Sequence, residues 1–423
     1  MRRISLGFSM LLSLLLLAGV LAILPAGTAV AVPPAQTAPF ADPQEAATEA
    51  VRWLVTAHQN DDGGYTSFSS GANQAPSDVG GTADAIQAIV AAGFDPAQPL
   101  FDQENTPVMW LNDHSDEVAA YASIDGSTAG KVVLALVAAG QDPRAFGDYN
   151  LVISLTQHLS PTGQLNVTTP FGQAVGILGL AAAGEPVPDS AVSWLLSTQS
   201  TEDVLAGSWD DGFGTLGNPD ATGMAVMALL AAGLAPDDPA LQQAADFLMQ
   251  ARLESGGWEY GPGFGENVNS TALAIQALAA LGQDVSEPVQ ALLNWQSESG
   301  AFQADFGSGP FDDFFSTVQA IPAVVGKPFP IRPGVEPVPV LISEPTETAV
   351  PPTATVTAVP TNTPLPTETA VPPTATMIST PVATATSAPQ ADTTDGGNAT
   401  MLWVVAIVLL VLIAAGIWYA RQR

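Results

Sequence analysis

The sequence predicts an all-α protein: an α6/α6 toroid of six helical hairpins at 41–332, then a disordered Pro/Thr-rich stalk at 333–400 and a C-terminal transmembrane helix at 401–420. Three observations predict this. An apolar, small-residue helix ending on a glycine recurs six times. A more amphipathic helix precedes each copy. Beyond Arg332 the helical period stops, and Pro, Thr, Ala and Val take over.

The first element is an export leader, residues 1–31. Arg2 and Arg3 open it, SMLLSLLLLAGVLAIL forms its apolar centre, and AVA ending at Ala31 supplies small residues for cleavage.

The repeated helices come next. They are TADAIQAIVAAG, TAGKVVLALVAAG, GQAVGILGLAAAG, ATGMAVMALLAAG, STALAIQALAALG and STVQAIPAVVG, ending at Gly93, Gly140, Gly184, Gly233, Gly282 and Gly326. A period of 44 to 49 residues between these glycines marks a repeated supersecondary unit. Each copy opens on an N-cap residue type (Asp78, Asp125, Thr169, Asn218, Asn269, Asp312) and closes on a glycine suited to the left-handed cap.

The preceding helices carry Trp53, Trp110, Trp194 and Trp295 on an apolar stripe. The glycine-terminated helices are apolar nearly all round and must be enclosed. They form the inner ring, and the Trp-bearing ones form the outer ring. An open solenoid needs polar terminal repeats. The last inner helix is as apolar as the middle ones, so it should close against the first.

The stalk contains PTETAVPPTAT twice, at 345–355 and 366–376, and has no period from which to build a core. Met401–Ala420 is long and apolar enough to span a bilayer, with Trp403, Trp418 and Tyr419 at its edges. The basic tail at 421–423 should stay cytoplasmic. The expected location is therefore a single-pass plasma-membrane protein with its toroid outside the cell.

Composition bounds the partners. The chain has 10 Lys and Arg against 41 Asp and Glu, and no cysteine. An exported chain without disulfides must rely on its core. Its acidity excludes nucleic acid as a partner and keeps the surface soluble.

The loops between outer and inner helices also repeat. QNDDGGY, SWDDGFG, ESGGWEYG and ESGAFQADFG place an aromatic soon after a glycine, with Gln59, Gln199, Gln250 and Gln296 upstream. This resembles the QW repeats of the terpene cyclase and protein prenyltransferase toroid superfamily across about 41–330. The alternation is also similar to the helical domain of cobalamin carriers. The resemblance implies that Gln59/Tyr65, Gln199/Trp209, Gln250/Trp258 and Gln296/Phe302 brace neighbouring hairpins. The third repeat, QHLSPTGQL, lacks the aromatic, and the second lacks the motif.

The chemistry of those relatives is missing here. There is no Cys for a prenyltransferase zinc site or a thioester, and no DxDD for a cyclase acid. There is no room before the stalk for the second domain with which cobalamin carriers clamp their ligand. His58, His114 and His158 lie near outer-helix ends, where a histidine serves the helix dipole. NDDGG and WDDGFG do not fit the twelve-residue calcium loop. No cofactor and no metal are expected.

What remains is the mouth where the inner-helix N-termini gather. The candidate ligand-binding residues are Asp78, Asp125, Asp220, Asp312, Asp313, Phe314, Tyr65, Trp209, Phe213, Trp258 and Tyr260, with Asp84 nearby. Capping accounts for most of the carboxylates. In PFDDFF, Asp312 is expected to cap the sixth inner helix, leaving Asp313 to face the cavity. The functional expectation is a surface-anchored, non-catalytic binding module for a small molecule, a glycan or a protein at this mouth. The alternative is an extracellular toroid-class enzyme, glycan-cleaving or terpene-cyclase-like, with an unfamiliar acid.

Overall fold

The structure is a computed structural model that describes residues 38–67 and 71–334. The expected leader at 1–31, the expected stalk beyond residue 334 and the apolar segment 401–420 lie outside the described residues. Among the described residues, no helix is long and apolar enough to cross a membrane.

Six inner helices form the centre: α2 (Val79–Ala91), α5 (Gly126–Ala138), α7 (Pro170–Ala182), α9 (Pro219–Ala231), α11 (Val268–Ala280) and α13 (Phe314–Val324). Six outer positions surround them: α1 (Pro43–Trp53), extended by a π turn at Leu54–His58, α3 (Pro107–Asp113), α6 (Leu151–Gln157), α8 (Asp189–Ser197), α10 (Pro239–Ala251) and α12 (Ser286–Leu293). In the second repeat, α4 (Ser115–Ala122) stands in place of the outer-to-inner loop. Each inner helix packs on the next, and α13 packs back on both α2 and α1. The ring is closed, and the fold is an α/α toroid.

Small residues bring the inner helices together. A Cβ on Gly130 would meet the Val175 carbonyl at 2.6 Å, and one on Gly223 would meet the Leu273 carbonyl at 2.6 Å. The inner helices end alike. In all six, the terminal glycine has positive φ, from 62° at Gly326 to 98° at Gly233. The following N–H reaches back to the last turn, as Phe94 does to Ile89 and Lys327 to Pro322. That is the Schellman stop.

The loop motif does its bracing with amides. Gln59 donates from Nε2 to the carbonyls of Gly63 and Asn105, Gln199 to Gly207 and Ala240, and Gln296 to Gly300 and Ala46. The second acceptor always belongs to the next repeat, so Gln296 ties repeat six to repeat one. Gln250 does not play this part. It is exposed, and the equivalent position is Arg252, which pairs with Glu287 at 3.2 Å. In the third repeat the amide comes from the inner helix instead. Gln173 donates to Gly163 and Ala191.

Two expected caps are corrected. The fifth inner helix is capped by Asn267, which accepts the Ser270 N–H at 3.0 Å, and Asn269 falls inside the first turn. The sixth is capped by Asp313, which accepts the Ser316 N–H at 2.7 Å. Asp312 is drawn away because β2 (Phe311–Asp312) pairs antiparallel with β1 (Gln303–Ala304), setting Asp312 opposite Gln303.

The two ends of the barrel differ. After α13 the chain reaches Arg332, which donates to the Ala181 carbonyl at the end of α7. On the way, the Phe329 N–H meets the Met227 sulfur of α9, and Ile331 is buried. In the ring order, α7 lies opposite α13. The segment 326–332 therefore crosses the C-terminal end of the barrel and covers it.

Candidate functional site

The opposite end, where the inner-helix N-termini gather, is the open mouth. Counting two residues from each N-cap gives its lining: Gly80, Ser127, Phe171, Asp220, Asn269 and Phe315. Of these, Ser127, Phe171, Asp220, Asn269 and Phe315 are half-buried, while most of each helix is fully buried. Ring order sets Phe171 across from Phe315, Asp220 across from Gly80, and Ser127 across from Asn269. One turn deeper, Asp84 of α2 and Lys131 of α5 form an ion pair at 2.8 Å. Burial would lower the Lys131 ammonium, but Asp84 outweighs it and holds it above its usual range.

Most acidic candidates are consumed by the backbone. Asp78 accepts the Gly81 N–H at 2.7 Å and both the N–H and hydroxyl of Ser67. Asp125 forms a capping box with Thr128. Burial pushes its carboxyl up, but the donors of Thr128 and Ser127 win and hold it low. Asp312 accepts from Ser299 at 2.6 Å and Gln303 at 3.1 Å, and Asp313 is the cap. The expectation that Asp312 caps the helix and Asp313 faces the cavity is thus corrected: Asp313 is the cap, and Asp312 is held by the loop.

Asp220 is different. It sits one residue past the Pro219 start of α9, and Asn218 already caps that helix. Its Oδ1 is covered and has no hydrogen-bond partner. Burial raises this carboxyl to about 6, with Ser270 pulling it back and the charge of Asp211 adding to the rise. Asp211 accepts the N–H groups of Phe213, Gly214 and Thr215 and the Tyr260 hydroxyl, the last at 2.5 Å. Burial opposes its ionisation, yet these donors bring it down to about 2. Tyr260 is pushed up to about 12 by burial and by Asp211. Two neighbouring carboxyls are thereby held in different protonation states near pH 5.

The aromatic candidates separate into core and rim. Tyr65, Trp209, Trp258 and Phe314 are buried, so they do not line the mouth. Trp209 and Trp258 donate their indole N–H to Leu195 and Leu248 of their own outer helices. Phe314 stacks on His58 at 4.8 Å. The buried loop rings Tyr65, Trp209, Trp258 and Phe302 each have their backbone N–H held by a threonine on the inner helix: Thr82, Thr222, Thr271 and Thr317 in turn. The rim rings are Phe213, Phe264 and Phe306, exposed by 86, 74 and 77% on the loops of repeats four, five and six.

The histidines also divide. His114 and His158 bond to the carbonyls of Trp110 and Ala122. His58 is instead enclosed between Trp53 and Phe314, and burial lowers its pKa. Among the described residues there is no group of three His, Cys, Asp or Glu able to hold a metal.

Sequence reasoning missed Phe171, Phe315, Phe264 and Phe306. The first two carry a legible signal, because each lies two residues past its cap, in register with Asp220. The others are aromatics flanked by the loop glycines Gly263, Gly265 and Gly307.

The ring is an α/α toroid with one end crossed by the chain and one open mouth. Among solved structures, the chain is similar to the type II terpene cyclase MstE from Scytonema, with 16% identity and a TM-score of 0.48, over 67% of this chain and 97% of that one. It is similar to a glycosidase in complex with glucose, with 14% identity and a TM-score of 0.47, over 66% and 95%. A protein from Actinoplanes is similar at 16% identity and a TM-score of 0.47, over 67% and 98%. No family model and no curated protein matches the chain.

Proposed function

We propose that the toroid is a non-catalytic binding module that takes a glycan or a comparable small ligand at the inner-helix N-terminal mouth. The observation that carries this is the run of exposed phenyl rings, Phe213, Phe264 and Phe306, on three consecutive loops around that mouth. Isolated exposed apolar residues need no explanation, but a row of them on one rim does. Below them, the half-buried Phe171 and Phe315 offer faces for the C–H side of a ligand, and the half-buried Asp220 and Asn269, the latter already accepting from Ser316, supply a polar edge. Such a mixture of apolar faces and a few polar groups suits a small-molecule site.

The test is a binding screen of the full-length protein against a neutral glycan panel, repeated with Phe171→Ala/Phe315→Ala. The reading expects binding at least about tenfold weaker in the variant, equivalent to about 1.4 kcal/mol, with a cooperative melting transition retained. Undiminished binding would overturn it. The proposal includes display outside the cell on the stalk, anchored by 401–420. Protease treatment of intact cells checks this: a toroid that survives while the tail is lost would reverse the orientation.

A second reading, a toroid-class enzyme acting on a glycan or a terpenoid, is favoured by Asp220. A carboxyl raised to about 6 beside one lowered to about 2 is the division that acid–base chemistry uses. Product formed by the wild type and lost in Asp220→Asn would establish it. Binding without turnover would leave the first reading.

A further inference from the structure

The fourth repeat departs from its siblings in one place. From the position that braces the next hairpin to the buried ring, the chain takes six residues in repeats one (59 to 65), five (252 to 258) and six (296 to 302), but ten in repeat four (199 to 209). The surrounding turn is unchanged. Ser200 and Gly207 exchange hydrogen bonds with Ser208 and Ser200 as Ser297 and Gly300 do with Ala301 and Ser297. Four residues have been inserted without disturbing the bracing. They form a single 3₁₀ turn, Asp203–Leu205, with Asp203 at a φ of 27° and Val204 exposed. None of its side chains is fully buried, although Leu205 packs against the core and its carbonyl accepts from Ser208.

The inserted turn makes one wall of a cavity of about 340 Å³, and the loop leading to α9 makes the other. Its volume lies at the low end for small-molecule sites. Its lining is polar at Ser200, Thr201, Glu202 and Asp210 and apolar at Leu205 and Leu216, so that each side carries a carboxylate and a leucine. No Lys, Arg or His lines it. Asp210 spends one oxygen on the Gly212 N–H, and its other oxygen and the carboxylate of Glu202 have no partner among the described residues. The cavity thus offers hydroxyls and free carboxylate acceptors against two leucines. An anion is repelled, and a purely apolar ligand leaves the carboxylates desolvated without a donor. A neutral sugar ring suits both kinds of lining. Its hydroxyls donate to Glu202 and Asp210, and its C–H face lies on Leu205 and Leu216.

We propose that this cavity in repeat four is a saccharide subsite, holding one neutral sugar unit on the flank of the loop that carries Phe213. It deepens the glycan reading of the mouth and rests on that reading for the longer chain of which the sugar would be part. The subsite itself is tested with small probes.

The experiment is saturation-transfer NMR on the full-length protein with methyl glucoside, methyl galactoside and methyl mannoside, and with tetramethylammonium as a cationic probe. At least one glycoside is expected to bind, and to bind at least tenfold more weakly in Glu202→Gln/Asp210→Asn. A deletion of 202–205, which restores the six-residue spacing of the other repeats, should keep the melting transition and lose the glycoside. Phe171→Ala/Phe315→Ala should retain it, which separates this subsite from the mouth. Binding of none of the three glycosides, glycoside binding that survives both the double variant and the deletion, or binding of tetramethylammonium alone would overturn the assignment.

Discussion

The two ends of the barrel are built from the same six helices and treat their termini in opposite ways. At the C-terminal end, every helix stops on a left-handed glycine, and the chain then crosses from α13 to α7 over the opening. Ile331 is buried there, and Arg332 and the Phe329 N–H find partners on α7 and α9. At the N-terminal end, all six N-caps are likewise satisfied by local hydrogen bonds, and Asp84 is neutralised by Lys131. Yet Asp220 has an oxygen with no partner, and three phenyl rings stand in water.

The sharpest way to break this contrast is to open the sealed end. Ile331 is 2% exposed in the crossing segment. Ile331→Ala should cost about 2–5 kcal/mol, the usual range for a buried aliphatic truncated to Ala, read as a drop in thermal or denaturant midpoint. A cost below about 0.5 kcal/mol would show that the segment only rests on the surface.

The next effect belongs to Asp220 and has the opposite sign. Its folded pKa of about 6 lies above its ordinary value of 3.8. The stability it contributes is therefore complete below pH 3.8 and is lost as pH rises through 6. Asp220→Asn should stabilise the protein at pH 7 by on the order of 1–3 kcal/mol, at about 1.4 kcal/mol per pKa unit. That gain should vanish by pH 4. His58 acts in the other direction. Its lowered pKa means that stability is lost as pH falls below its ordinary 6.5, so each variant must be compared with wild type at the same pH.

Smaller effects sort the two acids of the sixth repeat. Asp313→Ala removes a cap and should cost about 1 kcal/mol. Asp312→Ala loses contacts with Ser299 and Gln303 at the surface and should fall within about 0.5 kcal/mol of wild type. Equal losses would mean that the cap is shared. The smallest change is expected at the rim, where Phe213→Ser/Phe264→Ser/Phe306→Ser should leave stability within about 0.5 kcal/mol.

The contrast also explains what could be read in advance. The glycine ends were legible because a positive φ restricts the choice of residue, and six such glycines at a regular spacing leave one interpretation. The ring closure followed from an apolar last helix. The N-terminal end was less legible because Asp, Asn and Thr serve as caps, as lining and as loop bonds alike. Asp312 and Asp313 are indistinguishable until the β1–β2 pairing claims one of them. Gln250 looked like a brace because it precedes the loop, yet the bracing position is set by hydrogen-bond geometry and falls on Arg252. The buried rings Trp209 and Trp258 and the exposed Phe213 and Phe264 share one loop type, and only packing separates them. The threonine four residues past the cap, present in repeats one, four, five and six, was the signal that marked the buried ring in each.

Asp220→Asn bears most directly on the claim that the open mouth is the working end. Measured at pH 7 on the full-length protein, it should raise the melting temperature and weaken glycan binding together, because a carboxyl kept at a cost to stability is kept for what it binds. A variant with unchanged or lower stability and undiminished binding would contradict the account.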